Sequence, residues 1–375
     1  MSLRQKLEHE IAAHGTIPFS RYMEICLYDP ERGYYSRSQE KFGKTGDFYT
    51  SSDVHAVFGR LLARQFEEMW RALGSPSQIE LLELGPGRGL FAQDVLAWSE
   101  KKFPDFYRTL RYVLWEQSPA LRERLTHTLE RWIDNGHASV PGADGSFPHP
   151  LPEALQSAGI VFANEFFDAL PVEVLSSQGS LRVSRRLDRF TEEWVPASAQ
   201  ELEFLDRYSV HPEEKERVEA TLAALNTMRV VASNLRRGFL IAIDYGYTRE
   251  ELLAGRHRGT LMTYHRHIAS ADPYQAPGEQ DITAHVNFSA LAAAAGAGGM
   301  RVEKLRTQSQ FLMGIGEANE FADAFEECRL AQERAKVALQ LKHLVTPVGM
   351  GETFQVMVAS KGAETQGLSG MKFGR

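Results

Sequence analysis

The spacing of apolar positions along the chain changes near residue 79. Before it, residues 2–14 carry apolar side chains at helical intervals between charges and predict an amphipathic helix. Residues 18–28 predict a second helix that ends before the turn DPERGYY. KFGKTGDFYTSSDVHAVFG (41–59) is rich in glycine and small polar residues and predicts a loop. Ser51, Ser52 or Asp53 would cap a helix running from there to about Leu73. From residue 79 short apolar runs alternate with helical segments. IELLEL (79–84), RYVLWE (111–116), GIVFAN (159–164) and FLIAID (239–244) read as buried strands, and residues 90–103 and 119–133 as helices between the first of them. Buried strands separated by helices predict an α/β fold, a parallel sheet with helices on both faces.

The pattern shifts again between Val172 and Arg237. LRVSRRL and RFTEEWV alternate as a β-hairpin does, and a polar helical stretch fills 200–237, so 172–237 reads as an inserted β-hairpin and helical subdomain. Residues 256–288 have few apolar runs and predict a long loop of the kind that carries function. Residues 289–297 and 317–344 predict helices, and 300–307 and 352–360 late strands. The expected organisation is therefore an N-terminal helical segment and covering loop (1–75), a sheet core (76–171 and 238–361) interrupted by the insertion, and a loose tail (362–375).

Composition narrows the class. The 375 residues are 43% hydrophobic and 24% charged, enough to bury a full core. A net charge of −7 argues against a nucleic-acid partner. Two cysteines, Cys26 and Cys328, build neither a disulfide framework nor a cysteine zinc site. No run reaches the 18 to 20 apolar residues of a membrane span, and residues 1–15 lack an apolar signal segment, so the cytoplasm is the expected location.

The chemistry starts at LLELGPGRGL (81–90). A strand, a glycine-rich turn and a helix make a ligand site where backbone N–H groups lie bare. The dinucleotide fingerprint needs a third glycine at the position Leu90 occupies, and the P-loop needs a Lys-Ser or Lys-Thr that is missing. What remains is Glu83 followed by Gly85, Pro86, Gly87 and Gly89. A carboxylate there suits a ligand with a positive charge, such as an amino acid's ammonium. Glu116, with Gln117 after it, closes the second strand, where an acidic residue accepts hydrogen bonds from ribose hydroxyls. An amino acid at one loop and a ribose at the next describe S-adenosylmethionine (SAM). An ordinary turn with both carboxylates in water is the plain alternative.

Three further stretches, GDFYTSS (46–52), ANEFFDALPVEV (163–174) and the run from IDYGY (243–247) through EQDITAHVNFSAL (279–291), together with ELGPGRG, carry a resemblance. From about Ile17 to Leu291 the chain resembles the MidA-like family of class I SAM-dependent methyltransferases. The resemblance implies a Rossmann-like methyltransferase fold with SAM as cofactor. By way of the family's mitochondrial members it implies methylation of an arginine in a respiratory complex I subunit, hence a protein partner. The chain departs from the family pattern at Asn287 and Tyr247, where Asp and His are expected.

An arginine acceptor is cationic and its lone pair delocalised, so carboxylates that hold the guanidinium plane are expected. Glu165 and Asp168 stand three apart, where one helical turn would set them on one side, with Asn164 nearer the cofactor. A capping role for Asn164 or Asp168 is the alternative. Gly46 and Thr50 are candidates to close over the methionine carboxylate. Asp281 and His285 are candidates to reach the site from above, unless Thr283 simply caps a helix there. His265 and His267, with Asp281 and His285, have metal-ligand residue types, but their spacing fixes no geometry and no metal is assigned. Two other functions share these residues: methylation of a small molecule, and a SAM-binding assembly factor with little turnover.

Overall fold

The computed structural model describes residues 1–36, 56–142, 155–265 and 268–373. Its centre is a large sheet whose principal strands are β1 (Ile79–Leu84), β2 (Leu110–Trp115), β3 (Ala138–Ser139), β4 (Leu155–Asn164), β5 (Leu235–Tyr247), β6 (Arg301–Val302) and β7 (Phe354–Lys361). They lie side by side in the order 3-2-1-4-5-7-6. β1 to β5 pair parallel, and β7 runs antiparallel between β5 and β6. The order reverses between β1 and β4, and in open α/β sheets ligands bind at such a switch point.

Strand parity sorts the core into two layers. Ile79 and Leu81 of β1 pack beneath helices Ala56–Ala72, Leu90–Lys102 and Gln308–Glu317. Leu82 and Leu84 point the other way, beneath helices Ala199–Tyr208, Leu222–Asn234 and Phe288–Ala297. This is the α/β architecture expected, with helices on both faces.

Register fixes the site. Leu84 pairs with Trp115 on one side and Ala163 on the other, and Asn164 pairs with Ile243. The residues just past these pairs, Gly85, Glu116, Glu165 and Asp244, therefore emerge along one edge of the sheet.

Several elements differ from expectation. Residues 200–237 are not one helical stretch: two helices flank the strand Val218–Ala220, because Pro212 and the charged run after it stop the first helix. Val218–Ala220 joins Ile17–Pro18, Glu173–Ser176, Gly179–Arg186 and Arg189–Val195 in a separate sheet of five strands. Helices Leu3–His14 and Phe19–Tyr28 pack on that sheet through a third apolar cluster. The expected loop over 256–288 holds a small sheet in which Met262–His265 pairs with both Ile268–Ser270 and Asp281–Thr283. The expected helix over 317–344 is two helices, Ala322–Phe325 and Ala331–Val345, and a further helix, Gln308–Glu317, precedes them. The tail is not loose through residue 373. Leu368 and Met371 are buried, the N–H of Gly370 donates to Gln65 Oε1 at 2.9 Å, and that of Ser369 to Glu68 Oε2 at 2.8 Å.

Candidate active site

The turn after β1 is built from backbone that only glycine adopts at ease. Gly85, Gly87 and Gly89 have φ of 64°, 55° and 77°. Two of them are also filled in by neighbours. A Cβ on Gly85 would lie 2.8 Å from the Phe166 ring, and one on Gly89 2.6 Å from Leu125 Cδ2. Among the described residues, a Cβ on Gly87 would meet nothing within 4 Å, so the turn is open to them there. Gly89 is the N-cap of helix Leu90–Lys102 and supplies no side-chain cap.

Two buried carboxylates flank this turn. Glu83 accepts a hydrogen bond from Tyr112 Oη at 2.8 Å and makes no ion pair among the described residues. Burial pushes its pKa up to about 8, and the nearby Glu116 adds to this, while the Tyr112 hydrogen bond opposes it. Glu116 accepts from the N–H of Ser118 at 2.8 Å, and the N–H groups of Gly87 and Gln117 also point at it. Burial raises its pKa to about 7 against those donors. Glu116 thus ties the β2 end to the glycine turn. Gln117 is half-buried, and its carbonyl accepts from the buried Arg122 at 2.9 Å.

Across the switch point, β4 ends at Asn164, whose Nδ2 donates to Glu165 Oε1 at 3.0 Å. Its Oδ1 is buried with no hydrogen-bond partner among the described residues. Glu165 has φ of 50°, a left-handed kink. The helical turn expected to align Glu165 with Asp168 is therefore absent. The kink and a tight turn after it place Asp168 instead, buried, with Phe166 and Phe167 packed in the core beside it. Neither Asn164 nor Asp168 caps a helix.

The support for this loop comes from a residue that the sequence reading did not single out. Asp244, near the end of β5, is fully buried. Its Oδ2 accepts the backbone N–H groups of Phe166, Phe167 and Asp168 at 3.2, 2.9 and 3.3 Å, and its Oδ1 accepts that of Tyr245 at 2.9 Å. An acidic residue closing a third parallel strand, after Glu83 and Glu116, was the signal available.

Asp281 reaches the same place from the small sheet. It is buried, and its Oδ1 accepts from Tyr35 Oη at 2.9 Å and from the N–H of Ile282 at 3.0 Å. Burial, then Asp244, then Asp281 push the Asp168 carboxyl well above its ordinary pKa. Tyrosines close the group: Tyr28, Tyr35, Tyr245 and Tyr264 all have hydroxyl pKa values raised by burial first and then by these carboxylates. The sequence reading missed Tyr28, Tyr35 and Tyr245 as well.

The remaining candidates fall elsewhere. His285 stacks 6.5 Å from Tyr245 and lies tilted 5.6 Å from His257, and burial and then His257 lower its pKa. Thr283 caps no helix. It lies in a strand, and Asn287 instead caps helix Phe288–Ala297, accepting from the N–H of Ala290 at 3.0 Å. His265 is tied through Nδ1 to the carbonyl of Glu279 at 2.7 Å. Among the described residues no three His, Cys, Asp or Glu side chains converge as metal ligands. Gly46, Thr50 and His267 lie outside the described residues.

Residues 61–306 match the model of the S-adenosyl-L-methionine-dependent methyltransferase family Methyltransf_28. The chain belongs to this family. It is similar over its whole length to a protein from Burkholderia thailandensis whose crystal structure holds S-adenosyl-homocysteine, at 31% identity and a TM-score of 0.83, covering 95% of that protein. It is also 30% identical to "Protein arginine methyltransferase NDUFAF7 homolog, mitochondrial" of Drosophila melanogaster, over 76% of this chain and 68% of that one. A Danio rerio relative, "Protein arginine methyltransferase NDUFAF7, mitochondrial", is 29% identical over 94% of this chain and 86% of its own. As a SAM-dependent methyltransferase the chain uses SAM as cofactor. The site suits that ligand: among the described residues, an open glycine turn, a buried carboxylate with no cation beside it and an Asn164 acceptor with no hydrogen-bond partner all face one edge of the sheet.

Proposed function

We propose that this methyltransferase acts on an arginine side chain of a protein. The observation that carries the proposal is the group of carboxylates past β4 and β5, Glu165, Asp168, Asp244 and Asp281, enclosed by tyrosines. Like charges buried together destabilise one another, and a bound cation relieves that cost. A guanidinium fits: it is planar, permanently charged and able to bind two carboxylates at once. The printed names of the Drosophila and Danio relatives support the same acceptor.

In this reading the glycine turn and Glu83 hold the methionyl end of SAM, Gly87 leaving room for it and Glu83 facing its ammonium. Glu116 and Gln117 hold the ribose. Asn164 stands between the two ligands, its Oδ1 toward the cofactor and its Nδ2 on Glu165. When bound, SAM supplies an electrophilic methyl group on sulfur and leaves as a neutral thioether. The protein's own part is alignment, exclusion of water and care of the proton. Glu165 and Asp168 accept in-plane hydrogen bonds from the guanidinium and turn one nitrogen toward the cofactor. Methylated guanidinium keeps one positive charge, so one proton must leave. Asp168, whose surroundings favour its neutral form, takes it. A client resembling a complex I subunit is the part of the proposal that rests on family resemblance.

The test is incubation with methyl-labelled SAM and an extract from cells lacking the enzyme. Label on an arginine of a protein is the expected result. Label on a small metabolite would replace the acceptor, and tight SAM binding with no label would make the chain a SAM-binding assembly factor.

A further inference from the structure

One short turn of the N-terminal segment touches both halves of the site. The turn Tyr34–Ser36 follows helix Phe19–Tyr28. Its middle residue, Tyr35, is held at both ends. The backbone carbonyl accepts from Ser118 Oγ at 2.9 Å, and the N–H of Ser118 is the one that donates to Glu116. The side-chain hydroxyl donates to Asp281 Oδ1 at 2.9 Å. The ring is braced by Tyr28 at 5.4 Å and Tyr34 at 5.2 Å. Tyr28 itself donates to the carbonyl of Ala169, and the N–H of Ala284 donates to the carbonyl of Asp168 at 3.0 Å. The N-terminal segment, the loop after β2, the loop after β4 and the small sheet thus meet at Tyr35.

We propose that Tyr35 is a positioning residue for methyl transfer: its hydroxyl orients the Asp281 carboxylate at the acceptor, and its carbonyl ties that arrangement to the loop bearing Glu116. The inference rests on the acceptor site assigned above. Its chemistry is simple. A hydroxyl that donates to a carboxylate stabilises the ionised form and fixes the carboxylate plane. Burial, and next the Asp281 charge, keep the Tyr35 hydroxyl protonated far beyond neutral pH, so it remains a donor. Among the described residues, the groups whose pKa Asp281 raises include Tyr28 and Tyr35 from the N-terminal segment, Asp168 from the loop after β4, and Tyr264 from the adjoining strand. The Tyr35 hydrogen bond opposes the repulsion between Asp281 and Asp168.

Tyr35→Phe removes one oxygen and keeps the ring and the carbonyl. The full-length chain is compared with Tyr35→Phe, Asp281→Asn and the double variant. The first readout needs no acceptor. The carboxyl carbon resonances of aspartate-labelled protein are titrated, and the Asp281 signal is identified by its loss in Asp281→Asn. The expected result is a rise of about one pH unit in its midpoint in Tyr35→Phe. The second readout is turnover of whichever acceptor the labelling experiment finds. The acid limb of kcat/KM should move up by a similar amount, with about a tenfold loss at pH values below that limb, while S-adenosyl-homocysteine binds within twofold of wild type. In the Asp281→Asn background, Tyr35→Phe should cost nothing more.

An unmoved Asp281 midpoint overturns the proposal, as does a Tyr35→Phe loss that persists without the Asp281 carboxylate. A purely structural role would lower the melting temperature and weaken S-adenosyl-homocysteine binding while leaving the pH limb in place. If labelling finds an acceptor other than arginine, the acceptor assignment falls, and the titration and the double variant still decide the role of Tyr35.

Discussion

The carboxylate of Asp244 binds the backbone N–H of Phe167 at 2.9 Å, and the same oxygen takes the N–H groups on either side, those of Phe166 and Asp168. One side chain from β5 thereby sets the course of the loop that leaves β4, including the left-handed kink at Glu165. Asp244→Ala would leave buried N–H groups unpaired, each costing about 1–3 kcal/mol. Two variants separate folding from function. In Asp244→Ala, denaturant unfolding should show a loss of several kcal/mol. Asp244→Asn keeps a carbonyl oxygen for the N–H groups and should lose less stability. Both should lower turnover more than SAM affinity, measured by calorimetry, because the loop they loosen carries Glu165 and Asp168 rather than the glycine turn.

Gly87 and Gly89 of the turn should respond differently to substitution. Among the described residues nothing stands within 4 Å of where a Gly87 side chain would begin, so among them Gly87→Val meets the cost of its backbone conformation, about 1–2 kcal/mol, and no collision. The same side chain would fill the space assigned to SAM. The expected outcome is a folded protein that binds SAM at least 100-fold more weakly. Gly89→Val carries the backbone cost and also collides with Leu125, so it should unfold at markedly lower denaturant. Paired unfolding curves and titration calorimetry check both. Wild-type affinity in Gly87→Val would remove the turn from the cofactor site.

Glu83 makes a pH prediction. Its folded pKa of about 8 lies above the ordinary 4.5, raised mainly by burial and further by Glu116. Between those values the folded protein holds a proton that the unfolded chain has lost. Stability from this group is complete below about 4.5 and drains away as pH rises to about 8, at up to about 1.4 kcal/mol per pH unit. Glu83→Gln is neutral throughout, so wild type should lose stability relative to this variant over that window. A bound ammonium needs the ionised carboxylate, so SAM binding should release a proton below pH 8. Melting temperatures of the two proteins from pH 5 to 9 test the first statement. Calorimetry in buffers of different ionisation enthalpy tests the second.

How much of this was legible beforehand depends on how local the determinants are. The strands of the sheet announce themselves as apolar runs, and Gly85, Gly87 and Gly89 as a turn, because periodicity and backbone freedom act over a few residues. Glu83 and Glu116 were visible as carboxylates ending apolar strands. Tyr35 and Asp281 were not legible as a pair: 246 residues separate them, and only packing of the N-terminal helices on the small sheet joins them. Asp244 lay in plain view within IDYGY, but three of its four backbone partners, Phe166, Phe167 and Asp168, meet it only once β4 and β5 stand side by side. The Glu165 kink was missed for a related reason. The three-residue spacing to Asp168 suggests a helix, and the Asp244 carboxylate over-rides that local preference by gathering three successive N–H groups.

Asp168 should show a trade between activity and stability. Its carboxyl is buried beside Asp244 and Asp281, and all three effects raise its pKa. Ionisation of Asp168 is therefore costly in the folded chain without a bound cation. Asp168→Asn removes that cost and keeps the shape. Below the unfolded pKa of about 3.9 the two proteins carry the same charge at this position and should be equally affected by pH. As pH rises above it the unfolded wild type ionises while the folded form resists, so the variant should gain stability relative to wild type. The same change removes the group assigned to bind the guanidinium and take its proton. Turnover should fall about 100-fold, the acceptor KM should rise, and SAM affinity should stay within twofold. Melting temperature against pH, set beside steady-state kinetics, checks both arms. A variant that is more stable and equally active would mean that the buried carboxylates serve something other than the acceptor.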